Sequence, residues 1–315
     1  MFNIPQKRDL LVAAERLSPY IHNTPVLNSR MVNELAGCRL FFKCENFQKT
    51  GAFKFRGALN TVLSLNDDEA QNGVATHSSG NHAQALAYAA QIRGVRAYVV
   101  MPDNASPVKI EATRGYGAEI FFCEPTLEAR EKGHKKVIDE TGAYSVHPYD
   151  DCRIIAGQGT VCMELLRDNP KLDYILTPVG GGGLLSGTAL AANYFGRDIR
   201  VIGCEPQVVD DASRSFHSGK WQPAPNIPTV ADGLKTSLGK RNFAIIKDHV
   251  YDILTVSEEE IIAAMQLLWQ YMKILIEPSS AVPLAVLLKN KEMFSDDNVA
   301  IIISGGNVNL QNLPW

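Results

Sequence analysis

Tyr174-Ile175-Leu176-Thr177-Pro178-Val179-Gly180-Gly181-Gly182-Gly183-Leu184 runs from an apolar segment through four consecutive glycines into a helical pattern. The apolar segment has the character of a strand covered on both faces. Four residues without side chains at a helix head leave several backbone N–H groups bare. Such a turn either cradles a phosphate or is merely tight. The dinucleotide fingerprint G-x-G-x-x-G fails, because its two registers place Leu185 or Ser186 where a third Gly or Ala belongs. A phosphate is therefore the expected guest, and NAD is not.

On either side the pattern repeats. From Val74 to Val179, short β-branched runs alternate with longer helical stretches across Gly, Pro or Asp, which is the grammar of parallel βαβ units. Strands are predicted at 39–44, 74–76, 96–101, 118–122, 143–146, 174–178, 201–205, 253–256 and 299–303. Helices are predicted at 55–65, 81–93, 127–140, 157–167, 184–195, 258–272 and 279–290, with an amphipathic helix within 1–17. Ser257-Glu258-Glu259-Glu260 carries the cap and third-position acid of a helix start. Residues 217–241, rich in Pro and Gly, read as a long ordered excursion near the site. No repeat, low-complexity tract or Ser/Gly linker marks a boundary.

The 315 residues, 45% of them hydrophobic, suit two lobes sharing a cleft. With 31 Lys+Arg against 34 Asp+Glu, no broad basic surface is available for nucleic acid. No run reaches the roughly 18 apolar residues that span a bilayer, and Lys7, Arg8, Asp9, Glu15 and Arg16 break the N-terminal stretch that a secretory signal would need. Six cysteines form no C-x-x-C pair and have no His at zinc spacing, so reduced thiols in a cytoplasmic protein are expected.

Three further segments carry chemistry. In Gly51-Ala52-Phe53-Lys54-Phe55-Arg56-Gly57 a lysine sits between two phenylalanines, which would desolvate its ammonium, favour the neutral amine and make a nucleophile for an aldehyde. Ser78-Ser79-Gly80-Asn81-His82 opens a helix with hydroxyls, an amide and free N–H groups, suited to a substrate carboxylate or to plain capping. Ser304-Gly305-Gly306-Asn307 follows the strand at 299–303.

These four segments, in this order, resemble the fold type II pyridoxal 5′-phosphate (PLP) enzymes, and among them the serine racemase and serine/threonine dehydratase family. The resemblance implies a tryptophan synthase beta-like α/β fold of two open, twisted, mostly parallel sheets flanked by helices. It implies a large PLP-binding domain of residues 1–72 and 150–315 and a small mobile domain of 73–149. Lys54 would hold PLP and remove the Cα proton. Phe53 would pack on the ring, Asn81 would bond its phenolic oxygen, Gly180, Gly181, Gly182, Gly183 and Leu184 would hold its phosphate, Glu277 would lie near it, and Ser304 would face the pyridine nitrogen. Ser78, Asn81, His82 and Arg130 would bind substrate. A weak electron sink favours elimination of a β-hydroxyl to a 2-oxo acid and ammonia. The family also suggests a homodimer and a nucleotide (ATP) effector.

Ser79 resembles the racemase branch, in which a hydroxyl opposite the lysine returns a proton to Cα with inversion. Glu205-Pro206-Gln207-Val208-Val209-Asp210-Asp211 resembles that branch's metal loop, with Glu205, the Val209 carbonyl and Asp211 as hard oxygen ligands for Mg²⁺, Ca²⁺ or Mn²⁺. Tyr149 and the Ala52 spelling instead resemble dehydratases, so L-threo-3-hydroxyaspartate ammonia-lyase is the alternative. A β-replacement enzyme and a non-catalytic ligand sensor are weaker rivals. The chain ends eleven residues after Ser304, without the regulatory domain of biosynthetic threonine dehydratases.

Overall fold

The computed structural model describes residues 2–105 and 107–315; Met1, within the predicted N-terminal helix, lies outside them. That helix runs over Lys7–Leu17. Among the described residues ten strands form two sheets: β1 (Val26–Leu27), β2 (Arg39–Cys44), β3 (Val74–His77), β4 (Ala97–Pro102), β5 (Glu119–Cys123), β6 (Tyr144–Ser145), β7 (Tyr174–Pro178), β8 (Arg200–Pro206), β9 (Asp252–Val256) and β10 (Asn298–Ile303). One sheet has the order β1-β2-β10-β7-β8-β9 and the other β5-β4-β3-β6. Every pairing is parallel except β1 with β2.

Both faces of both sheets are covered, which explains the near-continuous apolar strands. In β10, Val299, Ile301 and Ile303 enter the core beneath the helix Pro278–Lys289, while Ala300 and Ile302 enter the core on the other face, beneath Gly183–Phe195. In β4, Val99 and Met101 face one core and Tyr98 and Val100 the other. The side-chain period of two thus feeds two cores from each central strand.

Arg56, one residue beyond the aromatic pair around Lys54, is wholly buried. Its Nε donates to Glu45 at 2.7 Å and its Nη1 to Glu164 at 2.7 Å, while Lys43 reaches the same Glu164 at 2.6 Å. Removing one member of such a buried network costs about 3–5 kcal/mol, because the partner charges stay behind. The network pins the start of the helix Lys54–Ser64 to β2 and to the helix Cys152–Asp168. The segment Ala156-Gly157-Gln158-Gly159-Thr160 now has a physical account. A Cβ on Gly157 would stand 2.7 Å from the Gly57 Cα, and Gln158 Oε1 accepts from the Gly57 N–H at 3.2 Å, so these glycines allow two helices to touch backbone to backbone.

Five α-helices among the described residues lie where none was predicted, two of them the short Arg30–Ala36 and Asp67–Ala70. The others are Pro107–Gly115, Asp211–Ser218 and Lys240–His249, so the excursion at 217–241 is irregular only between the last two. The helix predicted at 258–272 is α-helical over Glu258–Leu267 and widens to a π-turn over Leu268–Met272. The Ser257 capping box forms as expected. All six cysteines are unpaired. No helix among the described residues is long and apolar enough to cross a membrane.

Candidate active site

The chemistry-bearing segments follow carboxyl ends of parallel strands, the ends at which α/β sheets bind ligands. Ser78 follows β3, Gly180 lies two residues beyond β7, and Ser304 follows β10. An antiparallel bridge between Ala52 and Gly305, with the Phe53 N–H donating to the Ser304 carbonyl at 3.0 Å, brings the lysine segment against the end of β10.

Lys54 is half-buried at the head of its helix. Its Nζ lies 5.2 Å from the Phe53 ring centroid and 5.9 Å from that of Tyr149, and donates to the Pro148 carbonyl at 2.9 Å. Burial lowers its pKa to about 8, against a smaller upward pull from Glu277. Phe53 flanks the amine as expected. Phe55 instead turns into the core and stacks on Tyr88 at 5.2 Å, so Tyr149 supplies the second ring.

Glu277 is buried, and burial, with Asp232 adding to it, raises its pKa to about 7. Asn81 Nδ2 lies 3.0 Å from both Glu277 oxygens, and Asn307 Nδ2 donates to Asn81 Oδ1 at 2.9 Å. Ser304 Oγ is 3.0 Å from Ser280 Oγ, which donates to the Gly305 carbonyl at 2.7 Å and accepts the Gly305 N–H at 2.8 Å. Since Ser280 spends its one proton on that carbonyl, the Ser304 hydroxyl is the donor between the two.

The glycine turn is shaped by its surroundings. A Cβ on Gly180 would meet Leu234 Cα at 2.9 Å, one on Gly181 would enter the Tyr149 ring, and Gly182 has φ 89, which side chains rarely adopt. Among the described residues, none of the N–H groups of Gly180, Gly181, Gly182, Gly183 and Leu184 donates to a backbone carbonyl. These bare donors and the amine of Lys54 fit a phosphorylated aldehyde.

Residues 17–305 match the family model described as pyridoxal-phosphate dependent enzyme. The chain belongs to that family. This PLP-dependent enzyme is 50% identical over 313 residues to the beta-hydroxyaspartate dehydratase of Paracoccus denitrificans, covering 99% of both chains. It is 50% identical over 310 residues to the serine racemase of Dictyostelium discoideum, covering 97% of this chain and 96% of the other. Its fold superposes on the maize serine racemase structure with a TM-score of 0.96 at 41% identity, covering 98% and 95% of the two chains.

The remaining predicted residues fall in two places. Ser78 and Ser79 are half-buried and His82 is buried around the head of the helix Asn81–Arg93, and burial, then Lys54 and His147, hold the His82 pKa well below its usual value. Arg130 is half-exposed and its Nε donates to Thr126 of its own helix at 3.3 Å. Burial, then His134, His147 and the Arg130 charge, all lower the His77 pKa, to about 4, while at Tyr149 burial raises the pKa and Arg130 opposes it. The expected metal ligands lie apart, at the end of β8. Glu205 and Asp211 are buried acids, and burial raises Glu205 well above the carboxylate range and Asp211 to about 6. Glu205 accepts the N–H groups of Ala212 and Ser213 at 3.0 and 2.9 Å, and Asp211 Oδ2 that of Leu238 at 2.8 Å, while Asp211 Oδ1 is buried without a partner. Among the described residues no group of three or more His, Cys, Asp or Glu is arranged for a metal, so a cation here would draw on these two acids and carbonyls. Two buried acids without a cationic partner suit one.

Sequence reasoning missed Ser280, Asn242 and the Pro148 carbonyl, and treated Tyr149 only as a branch marker. Asn307 lay inside a quoted motif, but no role was assigned. Nothing in the local sequence of Ser280 or Asn242 distinguishes them.

Proposed function

We propose that this chain is a serine racemase and L-serine (L-threonine) ammonia-lyase. The observation that carries the reading is Lys54: an amine between two aromatic rings, titrating near 8, beside a glycine turn with bare N–H donors. PLP, when bound, supplies an aldehyde for amines and a ring that accepts electron density from Cα. Gly180 to Leu184 would hold its phosphate, Lys54 its aldehyde carbon, Phe53 a ring face, Asn81 its phenolic oxygen and Ser304 its pyridine nitrogen, with Glu277 alongside. The chain's own proton work is then simple. Lys54 takes the Cα proton on one face, and Ser79 returns one on the other, which inverts the centre. Ser78, Asn81 and His82 orient the substrate carboxylate at a helix N-terminus, and Arg130 reaches the substrate when the small domain, residues 73–149, closes on the large one.

A second reading, L-threo-3-hydroxyaspartate ammonia-lyase, is favoured by the full-length likeness to the Paracoccus denitrificans dehydratase. The decisive measurement is release of 2-oxo acid and of D-enantiomer from L-serine, L-threonine and L-threo-3-hydroxyaspartate at equal concentration. Dominant L-serine turnover with D-serine appearing supports the racemase reading. Much faster loss of hydroxyaspartate without D-serine replaces it with the second.

The proposal extends to a divalent cation (Mg²⁺, Ca²⁺ or Mn²⁺) held by Glu205, Asp211 and the Val209 carbonyl, for which the unpartnered Asp211 oxygen speaks. It extends to a homodimer, for which the exposed apolar Tyr271, Leu275, Leu310 and Trp315 speak. A cytoplasmic setting agrees with six unpaired thiols. A nucleotide effector rests on family resemblance alone.

A further inference from the structure

We infer that Asn242 is a positioning residue that fixes the phosphate-holding turn, an inference that rests on the PLP reading above. Asn242 is fully buried in the first turn of the helix Lys240–His249. Its Nδ2 donates to the Gly181 carbonyl at 2.7 Å and to the Tyr149 carbonyl at 3.1 Å. The Gly239 N–H donates to the same Gly181 carbonyl at 3.1 Å. Two donors thus hold one carbonyl in the middle of a turn whose own N–H groups donate to no backbone carbonyl.

In a trans peptide the C=O of one residue and the N–H of the next point opposite ways. No cis peptide occurs among the described residues, so fastening the Gly181 carbonyl toward the Asn242 helix turns the Gly182 N–H away from it. Gly182 is the residue with φ 89 that caps the helix Gly183–Phe195, and without side chains this turn has many other conformations open to it. Asn242 removes that freedom before any ligand arrives, which is how preorganisation improves affinity. The same amide ties the turn to the backbone of Tyr149, next to the Pro148 carbonyl that holds Lys54 Nζ. Arg241 reinforces the junction by donating to the Asp150 carbonyl at 2.5 Å. The Gly181 carbonyl takes two donors at 2.7 and 3.1 Å and Tyr149 only the longer Asn242 bond, so the phosphate turn is the end of the cofactor site that Asn242 fixes, while the Pro148 carbonyl holds the lysine.

The orientation of the amide is dictated, because both neighbours are carbonyl oxygens and only the NH₂ end can donate. Asn242→Asp keeps the shape and replaces the donor by an oxygen facing two oxygens; Asn242→Ala removes the group without adding charge. Cofactor-free wild type and both variants are titrated with PLP and, separately, with pyridoxal, following the imine absorbance, and their melting temperatures are measured without ligand. The expected result is a PLP dissociation constant raised roughly 5- to 30-fold in both variants, the loss of a hydrogen bond or two, with the pyridoxal constant changed much less. Equal weakening of PLP and pyridoxal, or unchanged PLP affinity with only a lower melting temperature, makes Asn242 structural and overturns the inference. Absence of an imine band in the wild type with either aldehyde would instead remove the PLP reading itself.

Discussion

An amine held between two rings and away from water gives up its proton more easily than one in solution. With a native pKa near 8 against 10.5 for a free lysine, the unfolded chain binds a proton that the cofactor-free native state does not over that window. Stability contributed by this group is therefore depressed below about pH 8 and recovers as pH rises toward 10.5. Lys54→Met is expected to melt above the wild type in the cofactor-free state near neutral pH and to lose that advantage above pH 10.5; a constant difference across a pH series of melts would refute the burial argument. The same variant should form no imine with PLP. At Ser79, replacement by Ala is expected to abolish D-enantiomer formation while sparing 2-oxo acid release, checked by chiral chromatography, whereas parallel loss of both would mark Ser79 as structural. The Lys54 segment, the Ser79 loop and the Ser304 segment were visible as local patterns, and the roles proposed for Ser79 and Ser304 came from the resemblance, since a capping serine or a turn reads the same locally. The second ring at the lysine was misplaced: Phe55 points into the core because it lies on the buried face of its helix, and Tyr149 arrives from 95 residues further on.

The glycine turn was read from one stretch, since a strand, four side-chain-free residues and a helix leave few alternatives. The segment 205–211 was harder. It was read as a metal loop, and it also starts a helix, Asp211–Ser218, whose first N–H groups are taken by Glu205. One carboxylate thus serves a helix terminus and remains available to a cation beside Asp211. Adding Mg²⁺ to cation-free protein is expected to raise its melting temperature by several degrees, a chelator to reverse this, and Asp211→Asn to be unresponsive to both. A wild-type melt indifferent to Mg²⁺, Ca²⁺ and Mn²⁺ would leave Glu205 as a helix cap and Asp211 as the acceptor for the Leu238 N–H alone. The helix at Lys240–His249 escaped prediction because it is short and carries no capping box, so packing and not local propensity sustains it.

The helix Lys54–Ser64 packs on the helix Asn81–Arg93 in one apolar core that also takes in Val74, Val99 and Ile154, and polar ties cross beside it. Lys109 pairs with Asp232 at 2.5 Å, and Asn81 with Glu277, each linking a segment between β3 and β6 to one beyond β8. Asp232 raises and Lys109 lowers the Glu277 pKa, so the charge of that buried acid depends on both ties. The small mobile domain proposed for residues 73–149 would slide on that shared apolar core, making and breaking the polar ties beside it. Hydrogen exchange in that segment is expected to slow when a dicarboxylate substrate analogue such as malonate is added to PLP-loaded protein. Protection spread evenly over both sheets, or none at all, would argue for a rigid pair of domains.

Nine of the ten strands among the described residues, the parallel βαβ alternation, the glycine turn and the lysine between aromatic residues were legible in the sequence itself, because each depends on residues close together in the chain, and the order of the four segments carried the family resemblance. Which side chains converge was decided only by the tertiary structure. Asn242 reaches Gly181, Ser280 directs Ser304, Asn307 holds Asn81, and Tyr149 covers Lys54 across separations that no local period encodes. A parallel sheet sets chain-distant strand ends side by side, so the contacts that complete the site appear only once the strands are in register.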